Sequence, residues 1–114
     1  MKINKELLKG STKMIVLKLL EDEDLYGYKM IKKLDEKSKS IFILKEGTLY
    51  PILHDLEKKQ LIESYWEDNL SARKRKFYRI TKSGLKMLNA KKTEWNMYAE
   101  GINNIFMEVK YNNV

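Results

Sequence analysis

Two runs rich in β-branched and aromatic residues, Leu61 to Glu67 and Lys74 to Ile80, stand out in a 114-residue chain otherwise patterned for helix. The polar stretch Asp68-Asn69-Leu70-Ser71-Ala72 joins them and has the length of a hairpin turn. The chain has room for one domain with a modest core, and its 43% hydrophobic and 34% charged residues give an ordinary globular balance. One hairpin in such a chain restricts the fold to a helical body carrying a small β element.

The helices are read from their apolar spacing. A first helix is expected over residues 5–21, with Leu7, Met14 and Leu17 on one side and Leu8, Ile15 and Leu19 roughly opposite. Met14 to Leu20 is apolar nearly all round apart from Lys18, so this helix is expected between two bodies: its own domain and a partner subunit. After the acidic break Glu21 to Asp24, Tyr26-Gly27-Tyr28 opens a second helix with the stripe Gly27, Met30, Ile31, Leu34. Ile41 to Leu44 reads as an extended link or edge strand. A third helix begins near Gly47-Thr48, with Leu49, Ile52, Leu53 and Leu56 inward and Thr48, Tyr50, Pro51, His54, Asp55 and Lys58 outward. Pro51 is placed in its first turn, where the missing N–H costs nothing. Thr81 is the expected N-cap of a last helix over about 82–109. In it Leu88, Trp95, Ile102 and Val109 recur every seven residues, a repeat that argues for pairing with another helix.

Helix, helix, helix, hairpin, long helix describes a winged helix-turn-helix: mainly α with a small β-hairpin wing (α+β). The expected division is a winged-helix DNA-binding domain over 1–81 and a C-terminal dimerisation helix over 82–114, forming one continuous unit. In this fold the helix before the hairpin enters the major groove and the wing lies over phosphates. The net charge of +7 and the run Arg73-Lys74-Arg75-Lys76 at the start of the second strand agree with a polyanionic partner, double-stranded DNA. Thr48 suits a phosphate, Tyr50 and Pro51 offer apolar surface to thymine methyls, and His54 and Lys58 donate to bases or phosphates. The rival is a winged-helix protein-interaction module docking an acidic partner. The mixed, polar outward face of the third helix speaks against it.

With one His and no Cys, the chain offers no disulfide, thiolate metal site or catalytic triad, and it lacks a Gly-rich phosphate loop. Neither an enzyme nor a metal sensor is expected, and no cofactor. The polar start of the chain and the lack of an apolar run of about 20 residues lead to the expectation of a soluble, cytoplasmic protein with no membrane partner.

Tyr26-Gly27-Tyr28, Glu46-Gly47-Thr48-Leu49-Tyr50-Pro51, Leu56-Glu57-Lys58, Ile62-Glu63-Ser64-Tyr65-Trp66, Arg75-Lys76-Phe77-Tyr78-Arg79-Ile80-Thr81 and Gly84 together resemble the PadR family of transcriptional regulators. The resemblance spans roughly residues 5 to 100 and points to the compact subfamily with a single C-terminal dimerisation helix. It implies a homodimeric repressor, often of detoxification or multidrug-transport genes. It also implies a dimer interface containing Leu7, Leu88, Trp95, Tyr98, Ala99, Ile102, Ile105 and Phe106. In the drug-binding branch a Trp of the last helix lines a cleft between subunits. Trp95 matches that position, and Met14 and Leu17 match further lining positions. The chain departs from the pattern at Lys91 and Lys92, where small or apolar residues are usual. With Lys91 beside Trp95, the expected effector is a planar aromatic, neutral or anionic rather than cationic; a regulator that answers to no small molecule is the alternative. Trp66, in a shared motif, reads as a structural wing residue.

Overall fold

The computed structural model describes residues 3–68 and 74–107. The elements in order are α1 (Lys5–Lys9), α2 (Thr12–Asp22), β1 (Leu25–Tyr26), α3 (Gly27–Lys37), α4 (Glu46–Lys58), β2 (Ile62–Asp68), β3 (Lys74–Ile80) and α5 (Lys82–Phe106). The strands form one antiparallel sheet in the order β1-β3-β2. This is the expected helical body with a β wing.

Three local features differ from the sequence expectation, and a fourth settles an alternative that it left open. The single helix over 5–21 is two helices, separated at Gly10 and Ser11. Glycine costs about 1 kcal/mol in a helix interior, and the neighbouring hydroxyls offer the backbone other partners. Ser11 Oγ donates to the Leu8 carbonyl at 3.0 Å and Thr12 Oγ1 to that of Lys9 at 3.1 Å. Leu25 and Tyr26, too few to show a period, pair with Tyr78 and Phe77 as a third strand. Ile41 to Leu44 is a link and not a strand; Leu44 is buried, and the Phe42 N–H donates to Ser38 Oγ at 3.0 Å. The helix α4 starts at Glu46, which moves Pro51 out of the first turn. There the proline removes the bond its N–H would have made to the Gly47 carbonyl. Gly47 is exposed, so water can satisfy that carbonyl.

The core lies where α2 crosses the other helices and the sheet. Val16, Leu17, Leu49, Leu53, Leu56, Ile62 and Leu88 are each at most 1% exposed. Two expectations change here. Leu17 is fully buried within its own domain, so α2 directs this side chain inward and not toward a partner. Leu88, assigned to a seam between subunits, is buried in the same core. The first part of α5 is therefore a wall of the domain. It is seated by Thr81, whose Oγ1 accepts from the Gly84 N–H at 3.0 Å. Beyond Lys91 the helix leaves the body, and Trp95, Tyr98, Ile102, Ile105 and Phe106 are exposed while Ala99 is half-buried. Val109 lies outside the described residues.

Candidate nucleic-acid interface and helical groove

Burial of Leu49, Leu53 and Leu56 turns the opposite side of α4 outward, and Thr48, Tyr50, Pro51, His54 and Lys58 lie there, all exposed. The Thr48 N–H is already bonded to the Lys45 carbonyl at 3.0 Å, so Thr48 offers its hydroxyl but not its backbone to an anion. Tyr50 reaches the start of α3. Its hydroxyl end lies over Gly27 at the start of α3, where even a methyl group would sit 2.4 Å from Oη. Asp55, part of the outward set in sequence, is tied back. Its Oδ2 is 2.6 Å from Lys13 Nζ of α2 and 3.2 Å from Lys59 Nζ. The two ammonium groups, Lys13 above all, hold its carboxyl below the usual carboxylate range.

The hairpin register divides the wing cations. Side chains alternate between the faces of a strand, and directly opposed residues share a face. Ser64 opposes Tyr78 and Trp66 opposes Lys76 on the face toward α4, which Lys74, two residues before Lys76, shares. There Lys76 Nζ is 3.9 Å from Glu57 Oε1 of α4 and 5.6 Å from the centre of the Tyr78 ring. Glu63 opposes Arg79, Tyr65 opposes Phe77, and Glu67 opposes Arg75 on the outer face. On this outer face the Arg75 guanidinium lies 4.7 Å over the Tyr26 ring and that of Arg79 lies 4.9 Å over Tyr65. The cationic run is thus not one stripe. Lys74 and Lys76 face the α4 side, Arg75 faces away, and Arg73 lies outside the described residues. Trp66, expected to be structural, is 64% exposed on the same face as Lys76.

A groove of about 500 Å³ runs between α1, the start of α2 and α5. Leu7, Met14, Phe42, Trp95 and Tyr98 supply its apolar walls, and Glu6, Lys91 and Glu94 its charges. The rings of Trp95 and Tyr98 are 5.9 Å apart and tilted by 33°. Met14, Trp95 and Lys91 are brought together as expected. Leu17 is not a wall, being buried, and Lys92 does not line the groove. Sequence reasoning missed Glu6, Glu94 and Phe42. The position of Glu94, three residues after Lys91 and next to Trp95, was a usable signal; Phe42, on a link, gave none. The two carboxylates remove the basis for an anion preference, which rested on Lys91 and Lys92 alone. Among the described residues there is no group of side chains suited to a metal ion, and no helix long and apolar enough to cross a membrane.

Comparison with known proteins agrees with this arrangement. A Lysinibacillus sphaericus protein described as "Uncharacterized protein X" is 36% identical over 106 residues, covering 93% of this chain and 96% of its own. The solved structure of a transcriptional regulator from Clostridium thermocellum superposes with a TM-score of 0.82 at 34% identity, over 88% of this chain and 97% of that one. A PadR family transcriptional regulator from Eggerthella lenta gives 0.80 at 32% identity, over 90% and 88%. Residues 16–90 match the transcriptional regulator PadR-like family, from the middle of α2 through the wing into α5. The chain belongs to the PadR-like family of transcriptional regulators.

Proposed function

We propose that the protein is a homodimeric repressor that grips a pseudo-palindromic operator with α4 and the wing, and that a planar aromatic ligand in the α1–α5 groove releases it. The observation that carries this reading is the presence of two unlike exposed surfaces on one chain. One is the polar and cationic face of α4 and the wing. The other is the apolar stretch of α5, where Ile102 is 37% and Phe106 is 78% exposed.

Each large apolar side chain, once fully buried, contributes about 1.5–3 kcal/mol. Several from each protomer would offset an association cost of about 4–15 kcal/mol. Pairing of α5 with a second copy would set the two α4 helices at a fixed separation, matching half-site centres ~34 Å apart. Thr48, Tyr50, Pro51, His54 and Lys58 then face the major groove, with Lys74 and Lys76 above the phosphates. Trp95 and its symmetry mate hold the helices apart, and Met14 adapts to the ligand. With Glu6 and Glu94 lining it alongside Lys91, the groove suits neutral or cationic aromatics. Release follows when the ligand binds a dimer of the wrong spacing more tightly than the right one.

The test is binding to DNA from the protein's own promoter region, followed by fluorescence anisotropy from 50 to 200 mM salt. Affinity should fall steeply, and the double variant Lys74→Ala/Lys76→Ala should flatten the log–log slope by about 0.9 for each phosphate no longer neutralised. An unchanged slope removes the wing from the interface. For the ligand, quenching of Trp95 by planar aromatics is read in a Trp66→Phe background; no quenching by any of them discards the effector.

A further inference from the structure

The outer face of the sheet carries a connected set of contacts that lies outside the proposed DNA-contacting surface. The Tyr65 hydroxyl donates to Asp24 Oδ2 at 2.6 Å, although the two residues are 41 apart in sequence. The Tyr65 ring stacks on Phe77, with centroids 5.7 Å apart and planes inclined by 17°. Phe77 in turn meets Tyr26 edge-on at 5.3 Å. Arg75 and Arg79 cover the two ends of this aromatic row.

The place of Asp24 in the chain gives the contact its meaning. It directly precedes β1, and Tyr26 of β1 is also the N-cap of α3. In the sheet order β1-β3-β2, the strand carrying Tyr65 is not a neighbour of β1. The Asp24–Tyr65 bond therefore reaches past β3 and ties the far wing strand to the base of the helix-turn-helix. The backbone tie at this end is short, only Leu25 with Tyr78 and Tyr26 with Phe77, against seven opposed pairs between β2 and β3. A hydroxyl donating to a carboxylate makes a stronger bond than a neutral pair.

We infer that Asp24 is a positioning residue for DNA binding: by holding the Tyr65 hydroxyl it fixes the angle at which the wing stands to α3 and α4. The inference rests on the DNA-binding reading above. Arg75 and Arg79 support the same row and brace the wing, leaving the phosphates to cations on the other face.

Tyr65→Phe deletes only the hydroxyl and keeps the ring stack; Asp24→Ala deletes the acceptor. Both variants should remain folded at the assay temperature. Each should bind DNA more weakly than the wild type, by about 10-fold or more for loss of one charge-assisted bond, with the salt slope unchanged. The double variant should be no weaker than either single one. Asp24→Ala should also bring the pKa of the Tyr65 phenol down, since the bond to Asp24 holds it above the ordinary tyrosine value; absorbance titration, taken as a difference from Tyr65→Phe to separate this phenol from the other six, reads it. Wild-type affinity in both folded variants, additive losses or a flattened slope would overturn the inference while leaving DNA binding intact. Absence of DNA binding by the wild type refutes the DNA reading itself and takes this inference with it.

Discussion

Gly27→Ala should alter what the protein reads without unfolding it. Gly27 is buried at the start of α3, and an added methyl carbon would lie 2.4 Å from Tyr50 Oη, 2.9 Å from Cζ and 3.3 Å from Cε1. Ordinary contact begins near 3.4 Å, so the ring must move by about 1 Å. Tyr50 is 46% exposed and the obstructing atoms are its tip, so it can swing outward instead of straining the core. A side chain pushed ~30° from its rotamer costs about 0.5–1.5 kcal/mol. Replacing glycine by alanine recovers at most about 1 kcal/mol in a helix, less at its first position. The net change in stability stays within about 1 kcal/mol, a melting shift no larger than about 8 °C. The effect on recognition is larger in kind, because the displaced ring belongs to the proposed DNA-facing set. If Tyr50 reads a base, discrimination at that position should fall by about 1 kcal/mol, or about 5-fold, while the salt slope stays as in the wild type. Competition between operator variants, each changed at one base pair, is the assay. A melting point lowered by well over 10 °C, or a preference profile identical to the wild type, would refute the reasoning.

Gly84→Ala should behave oppositely, since its methyl would sit 2.0 Å from the Leu61 carbonyl oxygen and 2.7 Å from Ile80 Cγ1. Backbone cannot swing aside, so a loss of about 2–3 kcal/mol and a melting point lower by about 10 °C or more are expected in thermal unfolding. Ile102→Asp should convert the proposed dimer to monomer in micromolar sedimentation, because it would set an unpaired charge in the proposed α5 seam; a wild type that is itself a stable monomer would contradict the assembly. The lowered pKa of Asp55 means that its ionic contacts add stability above the unfolded value near 3.8 and lose it as pH falls through the lower folded value. The stability difference between wild type and Asp55→Asn should thus be constant at neutral pH and close in acid, as chemical denaturation at a series of pH values will show.

Much of this architecture is legible in the order of residues. The i, i+3, i+4, i+7 stripe Leu49, Ile52, Leu53, Leu56 specifies both the existence of α4 and the face it presents, because a helix with one apolar side has one way to bury it. The two β-rich runs specify the wing for the same reason, and the motifs from Tyr26 to Gly84 carry the family.

What the sequence leaves open is which body covers an apolar surface. Leu17 and Leu88 sit at spacings that suit a subunit seam, yet both are buried in the domain's own core. Periodicity records that a side is apolar; only packing decides whether the chain's own elements reach it first. The same holds for charge. Four consecutive cations look like one phosphate-binding stripe, but strand alternation sends Arg75 onto the Tyr26 ring and Lys76 toward Glu57. Asp24 and Tyr65 meet across 41 residues, and Glu6, Phe42 and Glu94 come from three separate parts of the chain to one groove. Local sequence determines the elements and their apolar faces because those depend on near neighbours in the chain; the contacts that join the elements depend on closure in three dimensions, and only the tertiary structure supplies them.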